Sequence, residues 1–205
     1  MSADEPPMTA PAIAILAADA RNAPDAAALD GSFTIAERLL LSATPDAITW
    51  QAMPVPPYRK DYHELDRADS DRGGASAPLP AEYLGSADSA AFLAYAAGKP
   101  CGLLLLSTGW NGLAVIDDIL VDAGARRLGV GSALLAHAEA WARGRGLPGI
   151  MLETQDSNVP ACRLYARHGY QLRGFDRSLY ATHPGTAHET ALFWYLLFND
   201  RTLRN

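Results

Sequence analysis

The stretch that most constrains the fold runs from residue 113 to residue 146, where an apolar run leads into a glycine-containing turn and a helical pattern. The run "LAVIDDILV" is apolar apart from Asp117 and Asp118, as expected for a strand inside a sheet. After the turn, apolar residues recur at helical spacing in one stripe: Leu134, Leu135, Ala138, Trp141 and Ala142. A strand that leads directly into an amphipathic helix predicts an α/β domain.

Composition, net charge and cysteine content limit the classes of protein to which the chain can belong. The chain has 205 residues, of which 49% are hydrophobic and 20% charged, which suits one soluble globular domain. The net charge of -6 argues against nucleic-acid binding and is compatible with a cationic substrate. Two cysteines, Cys101 and Cys162, exclude a disulfide framework and favour a reducing, cytoplasmic location. Asp4 and Glu5 stand where a signal peptide carries basic residues, and no membrane span is predicted.

The pattern along the chain predicts an N-terminal extension over residues 1–30, partly flexible, followed by a single domain over 31–205. The extension contains a short strand near residues 13–16, and two β-branched and aromatic runs predict strands at 32–43 and 47–55. Residues 56–80 are polar and rich in Pro and Gly, so we expect a loop there. Its carboxylates are those of a solvated loop or, if the loop overhangs a cleft, could attract a polyamine-like cation: Asp61, Glu64, Asp66, Asp69 and Asp71.

The turn "RRLGVG" has the chemistry of an anion site. Backbone N–H groups at the start of a helix lack partners, and the helix dipole adds positive potential there. Glycine allows close approach of the anion, and Arg126 and Arg127 add charge. The third glycine of a dinucleotide-binding fingerprint is replaced by Leu134, and no Gly-Lys-Ser/Thr run follows. A pyrophosphate cradle and a tight strand–helix turn without a ligand both remain open from the turn alone.

The surrounding sequence resembles a known family. The order Arg-x-x-Gly-x-Gly at residues 126–131 resembles the acetyl-coenzyme A motif of the GNAT N-acetyltransferases. From Ala91 to Phe198 the predicted strands and helices follow the order of the later elements of that family. The segments "IDDILV" and "LETQDSNVPACRLYARHGY" are similar to the streptothricin acetyltransferase subgroup in particular. The resemblance implies an α/β (α+β) GNAT fold: a mixed, mostly antiparallel central sheet with helices on both faces and a splay between the fourth and fifth core strands.

The resemblance also implies a cosubstrate, acetyl-coenzyme A, and no metal. Its pantetheine arm would add to the strand before the turn as a pseudo-strand, and its pyrophosphate would bind the turn. Asn158 would cap its own helix and bond the cofactor arm. The full cofactor-binding set implied in this way is Ile119, Leu120, Val121, Arg126, Arg127, Leu128, Gly129, Val130, Gly131, Ser132 and Asn158.

Three carboxylates are candidates for the general base. Glu153 stands in an otherwise apolar strand, where desolvation should raise its pKa toward a useful value, and a glutamate at the matching position is the base in similar ribosomal-protein N-terminal acetyltransferases. The other interpretation is that it orients a neighbouring group. Asp117 and Asp118 are rival bases, clamps for a cationic substrate, or plain sheet-edge charges. Strand alternation would point one of the two into the cleft.

Tyr165, seven residues after Asn158, matches the tyrosine that in the family donates a proton to the departing thiolate. The alternative is an aromatic ring that simply packs on the sheet. Cys162 is expected to be a small buried helix residue and not a nucleophile, and His168 a surface residue at a helix end. The histidines at positions 63, 183 and 188 show no metal-ligand spacing.

Together these features predict an enzyme that transfers the acetyl group of acetyl-coenzyme A directly to a primary amine of a small cationic substrate, with a streptothricin-type antibiotic as one possibility. A protein N-terminal acetyltransferase of the ribosomal-protein type is an alternative, and a non-catalytic GNAT-fold module that binds coenzyme A is another. We expect a monomer or homodimer with a small-molecule amine as its partner, and no nucleic acid or membrane.

Overall fold

The computed structural model describes residues 12–61, 79–183 and 185–198. Within these ranges the chain forms strands and two α-helices, joined by short 3₁₀ helices at Ala23–Ala28, Ala81–Tyr83 and Ala123–Ala125. The helices are α1 (Val130–Gly144) and α2 (Val159–Arg167). The strands are β1 (Ile13–Ala17), β2 (Phe33–Ala43), β3 (Ile48–Lys60), β4 (Ser89–Ala96), β5 (Lys99–Thr108), β6 (Ala114–Val121), β7 (Gly149–Gln155), β8 (Gln171–Asp176) and β9 (Ala191–Leu197).

Seven of the described strands form one sheet in the order β1-β4-β5-β6-β7-β9-β8. Its neighbours pair antiparallel except for β6 and β7, which run parallel. The parallel pair is connected through α1, as a parallel connection requires. The predicted mixed, mostly antiparallel sheet is therefore confirmed. The short strand expected near residues 13–16 is also present, since β1 pairs with β4 at the edge of the sheet.

The helical stripe of α1 lies on one face of this sheet. Leu134, Leu135 and Ala138 are buried there against β5 and β7, and α2 packs into the same core. The approach of α1 is close at Gly102, where a Cβ would lie 2.9 Å from Val130 Cγ1 and 3.0 Å from the Leu120 carbonyl oxygen. On the opposite face, leucines of β4, β5 and β6 pack with Leu79 and with residues around the 3₁₀ helices. Helical segments thus cover both faces.

Strands β2 and β3 form a separate two-stranded sheet that covers part of the α1 face. Trp50 of β3 meets Trp194 of β9 edge to face, with ring centroids 6.3 Å apart. The prediction that β3 ends at residue 55 is wrong, because the strand continues to Lys60, which pairs with Phe33. The register shift between Ile35 and Glu37 accommodates the proline pair at 56–57, which cannot donate to a ladder. Residues 64, 66, 69 and 71 of the predicted acidic loop, and His63, lie outside the described residues.

Candidate functional site

The sheet opens between β6 and β7. The two strands pair at only three positions, Ala114–Ile150, Val115–Met151 and Ile116–Leu152, although both continue beyond them. In chain order these are the fourth and fifth strands of the large sheet, so the predicted splay is confirmed. Asp117 and Glu153 are the first residues past the last pair. Two of the candidate bases therefore stand at the point where the gap begins.

Asp117 occupies a β-bulge. In the β5–β6 ladder Leu106 pairs with Ile116 and Leu105 with Asp118, so Asp117 is the extra residue. The Asp117 carboxylate accepts hydrogen bonds from the side chains of Tyr83 and Ser107. Burial and the charge of Asp117 raise the pKa of Tyr83 to about 12, which keeps its phenol protonated as a donor. Simple alternation, which would direct one aspartate of the pair into the cleft, does not apply across a bulge.

Beyond the bulge, one edge of β6 faces the gap. Ile119, Leu120 and Val121 pair with β5 on their other side, opposite Leu104, Leu103 and Gly102. Within the described residues no strand pairs with the gap side of this stretch. An extended molecule with amide groups could continue the ladder there. This is the geometry that the predicted pantetheine position requires.

The turn between β6 and α1 places two residues in the left-handed region. Arg127 and Gly129 both have positive φ, 65° and 90°, and Gly129 is the residue that precedes the first turn of α1. In the described chain, the first α1 residue whose N–H donates to a backbone acceptor is Ala133, which bonds the Gly129 carbonyl at 3.0 Å. The N–H groups at 130–132 belong to the turn that a helix leaves without internal partners. N–H groups of this kind can bind an anion at a helix N-terminus, so the predicted pyrophosphate position stays a prediction that this geometry allows.

The two arginines before this turn do different things. Arg126 is half-buried, and its guanidinium donates to the Val121 carbonyl at 3.3 Å and to the Gly31 carbonyl at 3.1 Å. It braces the end of β6 against the N-terminal segment, a use that its sequence position did not suggest. Arg127 is exposed beside the turn. The cofactor roles assigned to both remain predictions, and Arg127 is the arginine whose charge is available at the surface.

Gly131 and Ser132 contact α2. A Cβ on Gly131 would lie 2.9 Å from Leu164 Cδ2, so this glycine allows α1 and α2 to pack closely. The Ser132 hydroxyl and His168 Nε2 are 3.0 Å apart. His168 stands at the end of α2 as expected, is half-buried, and its contact with Ser132 was not predicted.

Helix α2 brings Asn158 and Tyr165 to the site. The Asn158 side chain accepts from the Ala161 N–H at 3.4 Å, so it caps the helix as predicted. Tyr165 is 4% exposed and packs against Tyr170 and Trp194, with ring centroids 6.0 and 6.2 Å apart. Burial raises its pKa strongly, and Cys162 and Asp118 raise it further. The phenol stays protonated and keeps a proton to donate. Cys162, fully buried, is the packing residue expected.

Glu153 has a partner that sequence reasoning missed. The Tyr180 hydroxyl donates to Glu153 Oε1, and Gln155 Nε2 donates to the Tyr180 hydroxyl at 2.9 Å. Burial raises the pKa of Glu153, the Tyr180 hydrogen bond lowers it, and the charge of Glu189 raises it. The net direction is upward, as predicted from an apolar strand. Tyr180 lies between β8 and β9, where no periodic pattern or motif marks it.

A buried ionic network supports the far end of β7. Lys60 of β3 pairs with Glu189, and Ser157 also donates to Glu189 Oε1, at 2.8 Å. Beside it, Arg38 of β2 donates to both Asp156 oxygens at 2.9 Å. These contacts join the two-stranded sheet to the turn that links β7 and α2. Sequence reasoning missed these contacts because the partners are distant in sequence: 129 residues for Lys60 and Glu189, 118 for Arg38 and Asp156, and 32 for Ser157 and Glu189.

The site residues fit acetyl-coenzyme A. The helix-mouth N–H groups suit a pyrophosphate, the open edge of β6 suits a chain of amides, and the gap ends at a carboxylate and a protonated phenol. This combination of fold and site defines an acyltransferase that works on a nucleotide thioester. The sequence profile of the Acetyltransferase (GNAT) family matches residues 49–170, and the chain belongs to that family. It is an acetyl-coenzyme A-dependent N-acetyltransferase.

Comparison with individual proteins shows which members of the family this chain resembles. The chain is 39% identical over 142 residues to streptothricin acetyltransferase A of Bacillus subtilis (strain 168), covering 69% of this chain and 75% of the relative. An acetyl-coenzyme A complex from Bacillus anthracis str. Ames, of a protein assigned as a streptothricin acetyltransferase, superposes with TM-score 0.78 at 34% identity, covering 91% of this chain and all of the other. A nourseothricin acetyltransferase structure gives TM-score 0.70 at 32% identity, covering 92% and 99%.

Two further observations concern metals and membranes. Within residues 12–61, 79–183 and 185–198, no three His, Cys, Asp or Glu side chains lie close enough together to hold a metal ion. No helix of the described chain has the length and apolar character needed to cross a bilayer.

Proposed function

We propose that this acetyltransferase modifies a primary amine of a small polycationic molecule of the streptothricin class, with Glu153 as general base and Tyr165 as general acid. The substrate class is that of the curated relative in Bacillus subtilis. The observation that carries the residue assignment is the position of Glu153, a half-buried carboxylate at the first residue past the last β6–β7 pair.

The acceptor amine is protonated at neutral pH and must lose a proton before it can attack. Burial raises the pKa of Glu153 above that of an ordinary glutamate, which makes its carboxylate a stronger base for the amine proton. Bound acetyl-coenzyme A supplies an activated acetyl thioester. Direct attack on it needs no enzyme nucleophile, in agreement with the buried position of Cys162.

The departing thiolate needs a proton or a strong donor. Tyr165 is buried, and its raised pKa keeps the phenol protonated, so it can donate a hydrogen bond to the thiolate as the thioester bond breaks. Asn158 stands at the start of the same helix, where we assign it to the cofactor arm in addition to its capping role. Helix α2 thus contributes both the acid and a contact to the cosubstrate.

The negative charges of two aspartates beside the β6–β7 gap are compatible with a cationic acceptor. Asp117 and Asp118 lie on β6 across from Glu153, and Asp118 is close enough to raise the pKa of Tyr165. We assign the two aspartates to a second positive group of the substrate and not to the base. We assign the reaction to the cytoplasm, where acetyl-coenzyme A is made and used, and expect it to need no metal.

The test is a thiol-release assay with acetyl-coenzyme A and four acceptors: a streptothricin, a polyamine, an aminoglycoside and a short peptide with a free N-terminus. We expect the streptothricin to give the highest kcat/KM. Faster turnover of the peptide would overturn the substrate class in favour of N-terminal acetylation.

The residue assignment is tested with Glu153→Gln. We expect kcat at neutral pH to fall by roughly a hundredfold or more, with acetyl-coenzyme A affinity nearly unchanged, and the acidic limb of the pH–rate profile to disappear. Glu139→Gln is the matched control, because Glu139 lies on α1 and pairs with Arg143 away from the gap. An unchanged pH–rate profile in Glu153→Gln would remove Glu153 from the role of base.

A further inference from the structure

Tyr180 is the side chain that touches the candidate base. Its hydroxyl donates to Glu153 Oε1 and accepts from Gln155 Nε2 at 2.9 Å. Glu153 and Gln155 are two residues apart on β7, so both point to the same face of the sheet and the tyrosine bridges them. Because Gln155 supplies a hydrogen to the phenol oxygen, the phenol's own hydrogen is directed to the carboxylate.

Hydrogen bonds hold the described backbone that follows Tyr180. Consecutive turns follow it, with the His183 N–H donating to the Tyr180 carbonyl at 3.0 Å and the Ala187 N–H to the His183 carbonyl at 2.7 Å. The segment ends at Glu189, whose carboxylate is fixed by Lys60 and Ser157. These contacts of the described residues support the position from which Tyr180 reaches Glu153.

We propose that Tyr180 is a positioning residue for the general base: its hydroxyl holds the Glu153 carboxylate in the orientation that accepts the proton of the acceptor amine. The inference rests on the proposed role of Glu153. A base that receives one fixed hydrogen bond at Oε1 presents its remaining lone pairs in a defined direction. Such a fixed direction is what a proton transfer within hydrogen-bond distance requires.

The hydroxyl also acts on the charge of Glu153. A donor to a carboxylate favours the ionised form, which is the form that accepts a proton. The groups that act against it are the burial of Glu153 and the negative charge of Glu189, which both raise the pKa of Glu153. The Lys60 ammonium pairs with Glu189, and the Tyr165 phenol lies within electrostatic reach of Glu153 from α2. Removal of the Tyr180 hydroxyl alone leaves all of these in place.

The direction of the pH shift expected on loss of the Tyr180 hydroxyl follows from this hydrogen bond. Without the hydrogen bond the pKa of Glu153 rises, so activity is lost at a higher pH as the solution is acidified. In Tyr180→Phe we expect the acidic limb of kcat/KM to move up by about one pH unit, the size of one hydrogen bond to a charged group. Activity well above the limb should fall by about tenfold or less, because the base itself remains.

The matched control is Tyr95→Phe. The Tyr95 hydroxyl donates to the Asp25 carboxylate at 2.7 Å, the same type of contact in a different part of the molecule, and its loss should leave the profile unchanged. Gln155→Leu is the second variant, in case Tyr180→Phe folds poorly. It removes the donor that orients the phenol, and a smaller shift in the same direction is expected.

The variants of Glu153, Tyr180 and Gln155 together distinguish the proposal about the general base from the proposal about Tyr180. A Glu153→Gln enzyme that keeps the acidic limb contradicts the proposed base. If Glu153→Gln loses the limb while Tyr180→Phe and Gln155→Leu keep the wild-type limb, the inference about Tyr180 fails and the base assignment stands. An equal loss of kcat/KM at every pH in Tyr180→Phe would likewise assign the tyrosine a purely structural role.

Discussion

At the scale of single residues, the turn before α1 depends on Gly129. Its φ of 90° lies in the region that side chains with a Cβ enter only at a cost, and a Cβ there would have only Ile13 Cδ1 nearby, at 4.0 Å. The requirement is therefore conformational and not one of space. The backbone at this residue sets the direction of the N–H groups that we assign to the pyrophosphate.

We expect Gly129→Ala to weaken acetyl-coenzyme A binding by about tenfold in calorimetry, together with a loss of about 1 kcal/mol in the free energy of unfolding. Gly112→Ala is the control, because Gly112 has a φ of 76° in the β5–β6 turn with nothing within 4 Å of its Cβ position. It should lose similar stability and keep full affinity. Equal affinity in both variants would count against the anion site.

Single residues also mark the limit of what the sequence could predict. Gly129 was predictable because a Gly-x-Gly turn before a helix has a local physical reason. Gly131 belongs to the same motif, yet its close neighbour is Leu164, which only the packing of α1 on α2 brings near. The contact of Tyr180 with Glu153 was not predictable, since it joins two elements and no spacing encodes it.

At the scale of elements, β7 is held in register by β9. Gly149 starts β7 and pairs with Leu197, and a Cβ on it would lie 2.6 Å from the Leu196 carbonyl oxygen and 3.0 Å from Leu197 Cα. Backbone atoms cannot give way as a side-chain end can. The same ladder pairs Glu153 with Phe193, so any shift of β7 against β9 also moves the candidate base.

Gly149→Ala should lower the free energy of unfolding by roughly 2–3 kcal/mol because it forces the two strands apart. Gly174→Ala tests the same change in β8, the other neighbour of β9, where the nearest atom would be Phe193 Cβ at an ordinary 3.6 Å. That variant should be within about 1 kcal/mol of the wild type, in denaturant titrations of both. Comparable losses in the two variants would show that close approach at Gly149 is not what matters.

The order and type of the elements followed from local signals. The stripe of α1, the cap at Asn158 and the apolar run of β7 each have a cause within a few residues. The end of β3 at Lys60 and the separation of β2 and β3 into their own sheet did not follow. Both depend on which strand pairs with which, a choice made by contacts distant in sequence.

At the scale of the whole molecule, two ionic contacts, one buried and one half-buried, attach the small sheet to the large one. The Lys60 and Glu189 side chains are 6% and 0% exposed, and Arg38 reaches Asp156 beside them. Burial lowers the pKa of Lys60, and the hydrogen bond that Lys60 donates to Glu189 opposes that effect. Each charge is tolerated in the interior because its partner is present.

Lys60→Met and Glu189→Leu should each lower the free energy of unfolding by about 3–5 kcal/mol, because each leaves a charge buried without its partner. The double variant should be clearly more stable than the sum of the two losses predicts, since both charges are then gone. Denaturant unfolding of the four proteins measures the coupling. Simple additivity would mean that the pair is not coupled.

The early end of the β6–β7 ladder has one more consequence. After Ile116 no described strand pairs with the inner edge of β6, and the backbone groups along such an edge can pair with an extended chain of matching spacing. In the binding mode proposed here, the pantetheine arm of the acetyl donor is the extended segment that pairs with this edge of β6. Binding of the donor then extends the sheet in the same step that brings the acetyl group to the site.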